Sequence, residues 1–186
     1  MTDDLLALRV DELIDAFGAG DPDPGSGSAA ALVVAMAASL IAKAARHSRD
    51  DWAEAGGAAA QAEALRIRAA PLADADALAY REAHGRLART EGADHTLARS
   101  LDRAAEIPLQ IAMTGADVAA LGREVSERCD EALKPDVLGA IALAAGAAQA
   151  AARLVAANLT VAEDDPRVAE ANAYAEAARE LGSARG

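Results

Sequence analysis

The chain predicts an all-α protein: an antiparallel up-and-down helical bundle with two buried alanine-rich helices at its centre. Three observations carry this. Hydrophobic residues make up 53% of the 186 residues but aromatics only 2%, so the core is built from Ala, Leu, Val and Ile, and alanine is the strongest helix former. No stretch alternates apolar and polar residues in a β-branched background, as a half-buried strand would. Residues 29–42 and 137–157 are apolar almost all round, which puts each helix at the centre of a bundle. Alanine contributes little burial per residue, so pairing into a homodimer is expected to add buried apolar area. The length suits one domain over residues 1–186.

Charge narrows the partners. A formal net charge of −12 argues against nucleic acid and anionic lipid surfaces. Residues 29–42 are too short to span a bilayer and are closed by Lys43, whereas 137–157 carries Gln149 and Arg153; core helices explain both better than a membrane does. A single cysteine, Cys129, excludes an internal disulfide and fits a reducing cytoplasm. The acidic start Met1-Thr2-Asp3-Asp4 is neither a secretory nor a transit signal.

The elements follow in order. Thr2 is positioned to cap a first amphipathic helix through about Phe17, its apolar face made by Leu5, Leu6, Leu13, Ile14 and Phe17. Residues 18–27 form a loop. The second helix runs from about Ser28, with Ser28 or Ser26 as its cap, to His47. A third begins at Asp50 or Asp51 and runs to about Leu87, kinked at Pro71. Residues 90–94 connect to a fourth over about 95–129, kinked at Pro108 and open to local breaks at Gly115 and Gly122. Lys134-Pro135-Asp136 starts a fifth, from Val137 to about Leu159. Asp164-Asp165-Pro166 caps the last, which ends near Leu181-Gly182, and residues 183–186 form a tail.

Two segments bear on chemistry. In Asp21-Pro22-Asp23-Pro24-Gly25-Ser26-Gly27-Ser28 a proline-stiffened, glycine-rich loop runs into a helix. Glycine admits close approach, and the N–H groups of a helix start favour an anion; an ordinary cap and tight turn explain the same residues. The loop lacks the Lys-Ser/Thr of a nucleotide P-loop and follows no strand, so it is not a dinucleotide turn either. In Leu72-Ala73-Asp74-Ala75-Asp76-Ala77-Leu78-Ala79-Tyr80 two carboxylates interrupt an apolar helix, with Asp76, Tyr80 and His84 on one face. Apolar neighbours raise a carboxyl pKa and suit it to acid–base work; a solvated pair near the Pro71 kink is the plainer alternative. Asp136 suits a helix cap. Asn158 suits a C-terminal cap or a core hydrogen bond, and Gln149 and Arg153 suit a ligand, a dimer partner or an exposed stripe. His47, His84 and His95 are dispersed and form no metal-ligand pattern. Cys129 has no recognisable base beside it.

Nearly the whole chain resembles the formimidoyltetrahydrofolate cyclodeaminase and methenyltetrahydrofolate cyclohydrolase family. Four segments carry the resemblance in order: Pro22 to Leu32, Asp74 to Tyr80, Ile107-Pro108-Leu109, and Asp136 through Asn158-Leu159. The resemblance implies an all-helical dimer holding a tetrahydrofolate derivative in a cleft, with no cofactor beyond that substrate and no metal. It implies closure of 5-formiminotetrahydrofolate to the 5,10-methenyl form with release of ammonia, or hydration of the methenyl bridge, by carboxylate acid–base catalysis. Asp76 is then the expected acid–base group, with Asp74 second. Pro24, Gly25, Ser26, Gly27, Ser28 and Tyr80 are expected to bind substrate, Gly25, Gly27 and Ser28 through backbone N–H groups. Asp136 is expected to bond the pterin's amino-pyrimidine edge or to set the loop. Three positions depart from the family pattern: Ser26 replaces a middle glycine, Ser48-Arg49-Asp50-Asp51-Trp52 replaces a lysine run, and an expected asparagine falls at Arg153 or Leu154. A non-catalytic assembly module on the same fold, and an enzyme acting on another small heterocycle, are the competing classes.

Overall fold

The computed structural model describes residues 4–20, 23–87, 95–159 and 164–183. The expected cap at Thr2, the connector at 90–94, the last three tail residues and the side chain of His84 lie outside them. Every regular element among the described residues is helical: a 3-10 turn Leu5–Ala7, then α1 Val10–Gly18, α2 Ser26–His47, α3 Ala55–Ala69, α4 Leu72–Leu87, α5 His95–Ser126, α6 Lys134–Asn158 and α7 Pro166–Ser183.

The two apolar runs form α2 and α6, which pack against each other, with α5 packed against both. A salt bridge of 2.7 Å joins Lys43 near the end of α2 to Asp136 near the start of α6, so the two run antiparallel. α3 and α4 pack on α2, and α7 lies against α5 and α6. The core is mostly methyl groups: Ala31, Ala38, Ala42, Ala140, Ala144 and Ala148 are wholly buried, and its largest fully buried side chains are Ile41, Ile111 and Ile141. One buried methyl stabilises by about 0.8 kcal/mol, so such a core holds only where helix axes come close. α2 and α6 are long and apolar enough to cross a membrane by length and composition, but 61% and 50% of their apolar windows are buried in the bundle.

Several boundaries differ from the sequence expectation. The first helix is two pieces. The Asp4 carboxylate accepts from Ala7 N at 3.1 Å, and Asp74 Oδ1 accepts from Leu5 N at 2.8 Å. That tertiary bond anchors the turn, and Leu8 and Arg9 then run extended before α1 begins. The third helix is also two, parted at Ala70–Pro71, because Pro71 has no N–H to continue the ladder. It starts at Ala55 rather than at Asp50 or Asp51; the preceding turn buries Trp52 under the Arg128 guanidinium, 5.7 Å from the ring centroid. α5 continues through Pro108, Gly115 and Gly122. The two glycines are packing points, not breaks. A Cβ on Gly115 would lie 3.1 Å from the Ala144 carbonyl oxygen, and one on Gly122 would lie 2.7 Å from Ile141 Cγ1.

Candidate active site

The N-terminus of α2 and the outer face of α4 meet in a cleft of about 260 Å³, lined by Gly25, Ser26, Gly27, Asp76, Tyr80, Ala104, Leu154 and Asn158. Two segments some fifty residues apart in the chain converge here, with the ends of α5 and α6 closing the other side.

Asp76 is the centre of the arrangement. The N-cap of α2 is Gly25, with no side chain to accept the free helix N–H groups; neither Ser26 nor Ser28 caps. Asp76 takes that role from another helix, its carboxylate accepting from the Ser28 backbone N–H. It lies so close that a Cβ on Gly27 would stand 2.2 Å from Asp76 Oδ1. Glycine at 27 is therefore what lets the acid reach the helix end.

Ser28 is wholly buried inside the first turn. Its Oγ is 2.8 Å from the Ala73 carbonyl and 3.2 Å from Asp76 Oδ2. The single hydroxyl proton serves one acceptor at a time, and when it rests on the nearer Ala73 carbonyl, Oγ can accept from a protonated Asp76. Burial pushes the Asp76 carboxyl above the usual carboxylate range, and the Ser28 hydroxyl and N–H pull it partly back. The arrangement thus suits a carboxyl that both takes and gives a proton. Tyr80, one turn on from Asp76, lies on the same cleft wall.

Asp74 faces elsewhere. Two residues apart on a helix, the acids point about 200° apart, and Asp74 binds Leu5 N and lines a second cleft of about 340 Å³ with Leu8, Glu12, Pro24 and Arg81. Pro24 belongs to this second cleft, on the far side of the loop from Gly25–Gly27. Its floor holds the buried Asp23 carboxylate paired with Arg81 at 2.9 Å, and the Asp23–Pro24 peptide is cis.

Asp136 is not brought to either cleft within the chain. It is half-exposed and bonded to Lys43, about 26 Å from Ser26 along α2 at 1.5 Å per residue. Asn158, read from sequence only as a cap or core bond, joins the first cleft. Its Nδ2 donates to the Ala104 carbonyl at 2.6 Å, which ties α6 to α5 and fixes the amide so that Oδ1 is left as an acceptor. Leu154, one turn earlier, and Ala104 also line the cleft and were passed over by motif reading; the only signal for Leu154 was its place where an asparagine was expected. Among the described residues no three His, Cys, Asp or Glu side chains come together as a metal site.

The fold is similar to that of a formiminotetrahydrofolate cyclodeaminase from Thermotoga maritima, with a TM-score of 0.85 at 22% sequence identity over 96% of this chain and 95% of that one. No curated protein sequence matches the chain. The formiminotransferase-cyclodeaminase family profile matches residues 9–177. That span takes in the whole of the first cleft and all seven α-helices in whole or in part, and the chain belongs to the formiminotransferase-cyclodeaminase family.

Proposed function

We propose that the chain is a formiminotetrahydrofolate cyclodeaminase, working as a cytoplasmic homodimer with Asp76 as its acid–base group and no cofactor beyond the folate substrate. One observation carries the reading: a carboxyl held above its ordinary pKa range sits on the wall of a cleft made by the glycine loop, in a chain of this family.

The chemistry needs one proton moved. N10 of the substrate attacks the carbon of the protonated formimino group, forming the N10–C bond. Asp76, ionised, takes the N10 proton. The C–N bond to the amine then breaks as Asp76 returns that proton to the leaving nitrogen. Ammonia and the 5,10-methenyl cation result, with atoms and charge balanced. A pKa raised by burial suits both halves, because a strongly acidic carboxyl would be a poor base and a weakly acidic one a poor acid. Asp76 is preferred over Asp74, which faces the other cleft and is occupied by Leu5 N–H. Asp76 occupies the Ser28 N–H, so the N–H groups of Ser26 and Gly27 are those left for an electron-rich edge of the substrate. Tyr80 packs beside the pterin, and the Asn158 amide oxygen accepts from one of its N–H groups. Hydration of the methenyl bridge, the cyclohydrolase reaction, draws on the same carboxyl as a base toward water and is the second reading.

The test is direct. Incubation with 5-formiminotetrahydrofolate is expected to raise methenyl absorbance with stoichiometric ammonia, and Asp76→Asn to lower the rate about 10²–10⁴-fold while leaving the helical circular dichroism intact. Decay of supplied methenyltetrahydrofolate without ammonia chemistry would favour the hydrolase. An unchanged rate in Asp76→Asn would remove Asp76 from the mechanism.

A further inference from the structure

Asp23 is buried, its side chain 8% exposed, and it stands two residues before the Gly25 cap of α2. A carboxylate taken out of water needs a cation and a hydrogen bond. Arg81 of α4 supplies both, Nη1 donating to Asp23 Oδ2 at 2.9 Å. The chemistry proposed above uses neither residue, and neither lines the cleft that holds Asp76. Both line the second cleft. Any effect of this pair on the reaction therefore passes through the chain that joins it to the first cleft.

That chain is short. Asp76 and Arg81 lie five residues apart on α4, about 7.5 Å along its axis and about 140° around it. Asp23 and Ser28 are likewise five residues apart. Asp76 takes the Ser28 N–H and lies 3.2 Å from its hydroxyl, and Arg81 takes Asp23. The start of α2 is thus strung antiparallel to α4 between two ties of equal span. Residues 25–27, which line the first cleft, fall between the ties. Glycines at 25 and 27 give this stretch little stiffness of its own, so its position over Asp76 depends on both ends being held.

We propose that Arg81 is a positioning residue for the reaction: through the buried Asp23 it holds the glycine loop against α4, at the distance where Asp76 meets the first turn of α2. A pair that supports the fold and nothing more is the rival account, and the two differ in what reaches Asp76. The Ser28 N–H and hydroxyl draw the Asp76 carboxyl down against its burial, so a loosened loop lets it rise further. Tyr80 is the other titratable side chain on that cleft; the residues that α2, α5 and α6 contribute to it carry no charge. On α4 itself, Asp74 and Arg81 point to the second cleft. Charge acting through space has opposite signs for the two partners: loss of the Arg81 cation raises the Asp76 carboxyl, and loss of the Asp23 anion lowers it. Loss of position raises it in both cases.

Kinetics and hydrogen exchange test it; the kinetic arm rests on the folate reading and the exchange arm does not. Asp23→Asn and Arg81→Met are each expected to lower kcat and kcat/KM together by about 10- to 10²-fold, and to move the acid limb of the pH–rate profile upward. Arg81→Lys, which keeps a cation for Asp23, is expected to recover most of the rate. The double variant Asp23→Asn/Arg81→Met leaves no unpaired buried charge. It is expected to keep the helical circular dichroism and yet to remain as slow as either single variant, as two residues acting as one unit do. A folded double variant with wild-type kcat overturns the proposal. So does a double variant that does not fold, which makes the pair a support of the fold, and so do limbs that move in opposite directions in the two single variants. In hydrogen exchange, without substrate, the amides of residues 25–28 are expected to exchange about 10-fold faster in the double variant while those of α6 are unchanged; unchanged exchange at 25–28 overturns the proposal. Faster exchange there, in a chain whose wild type turns over no folate, leaves the clamp standing and defeats the folate reading instead.

Discussion

At the scale of single residues, Gly27 and Asp76 form one device. The helix start at α2 has no side-chain cap of its own, and the acid that satisfies it reaches across from α4 only because position 27 has no Cβ. Gly27→Ala forces the carboxylate away from the helix end. The variant is expected to lose about 1–3 kcal/mol of stability in urea unfolding and about 10²-fold in turnover through misplacement of the acid. A variant as stable and as active as wild type would show that the contact matters to neither. Asp165 at the start of α7 shows the opposite shift: the Arg167 side chain and N–H hold it down to about 2.

At the scale of elements, the helices divide by what their glycines face. Gly57, in the first turn of α3, has nothing near an added Cβ, so Gly57→Ala is expected to stabilise by about 0.5–1 kcal/mol through helix propensity alone. Gly115 in α5 faces the Ala144 carbonyl and the Ala148 methyl, both at 3.1 Å. Both belong to the rigid backbone or its first atom and cannot yield, so Gly115→Ala is expected to lower stability by about 1–3 kcal/mol despite the same propensity gain. Paired thermal melts check the two signs; a stabilising Gly115→Ala would mean that α5 and α6 can part without cost. Within α4, two-residue spacing sets Asp74 and Asp76 toward different clefts.

At the scale of the whole molecule, packing α4 against α2 takes the Asp76 carboxyl out of water, and that burial lifts it above the ordinary carboxylate range. The sign of its contribution to stability follows from linkage. The folded chain holds the Asp76 proton more tightly than the unfolded chain does, so this favourable term is complete below the ordinary carboxylate range and is lost as pH rises through the raised folded value. Asp76→Asn removes that loss. Its melting temperature is expected to equal or exceed wild type at pH 7, with the advantage gone by about pH 3.8, the unshifted value. A variant less stable at pH 7 would mean that the anion's attraction to the α2 terminus outweighs its desolvation.

The all-helical class, the two central helices and the segments that meet at the cleft were legible in one dimension. A composition nearly devoid of aromatics, apolar runs without polar faces, and two aspartates in an alanine helix each have a local physical meaning. What lay beyond reach depended on contacts between distant residues. The first helix divided because Leu5 N–H binds Asp74. The expected serine cap gave way to a carboxylate from α4, and Gly115 and Gly122 read as breaks because nothing in the chain's order reveals the helices packed against them. Asp74 and Asp76, indistinguishable by neighbours in sequence, were separated by the direction of a helix face. Periodicity and propensity act over a few residues and are written locally; side-chain direction, desolvation and close approach arise from packing, and exist only once the chain has folded.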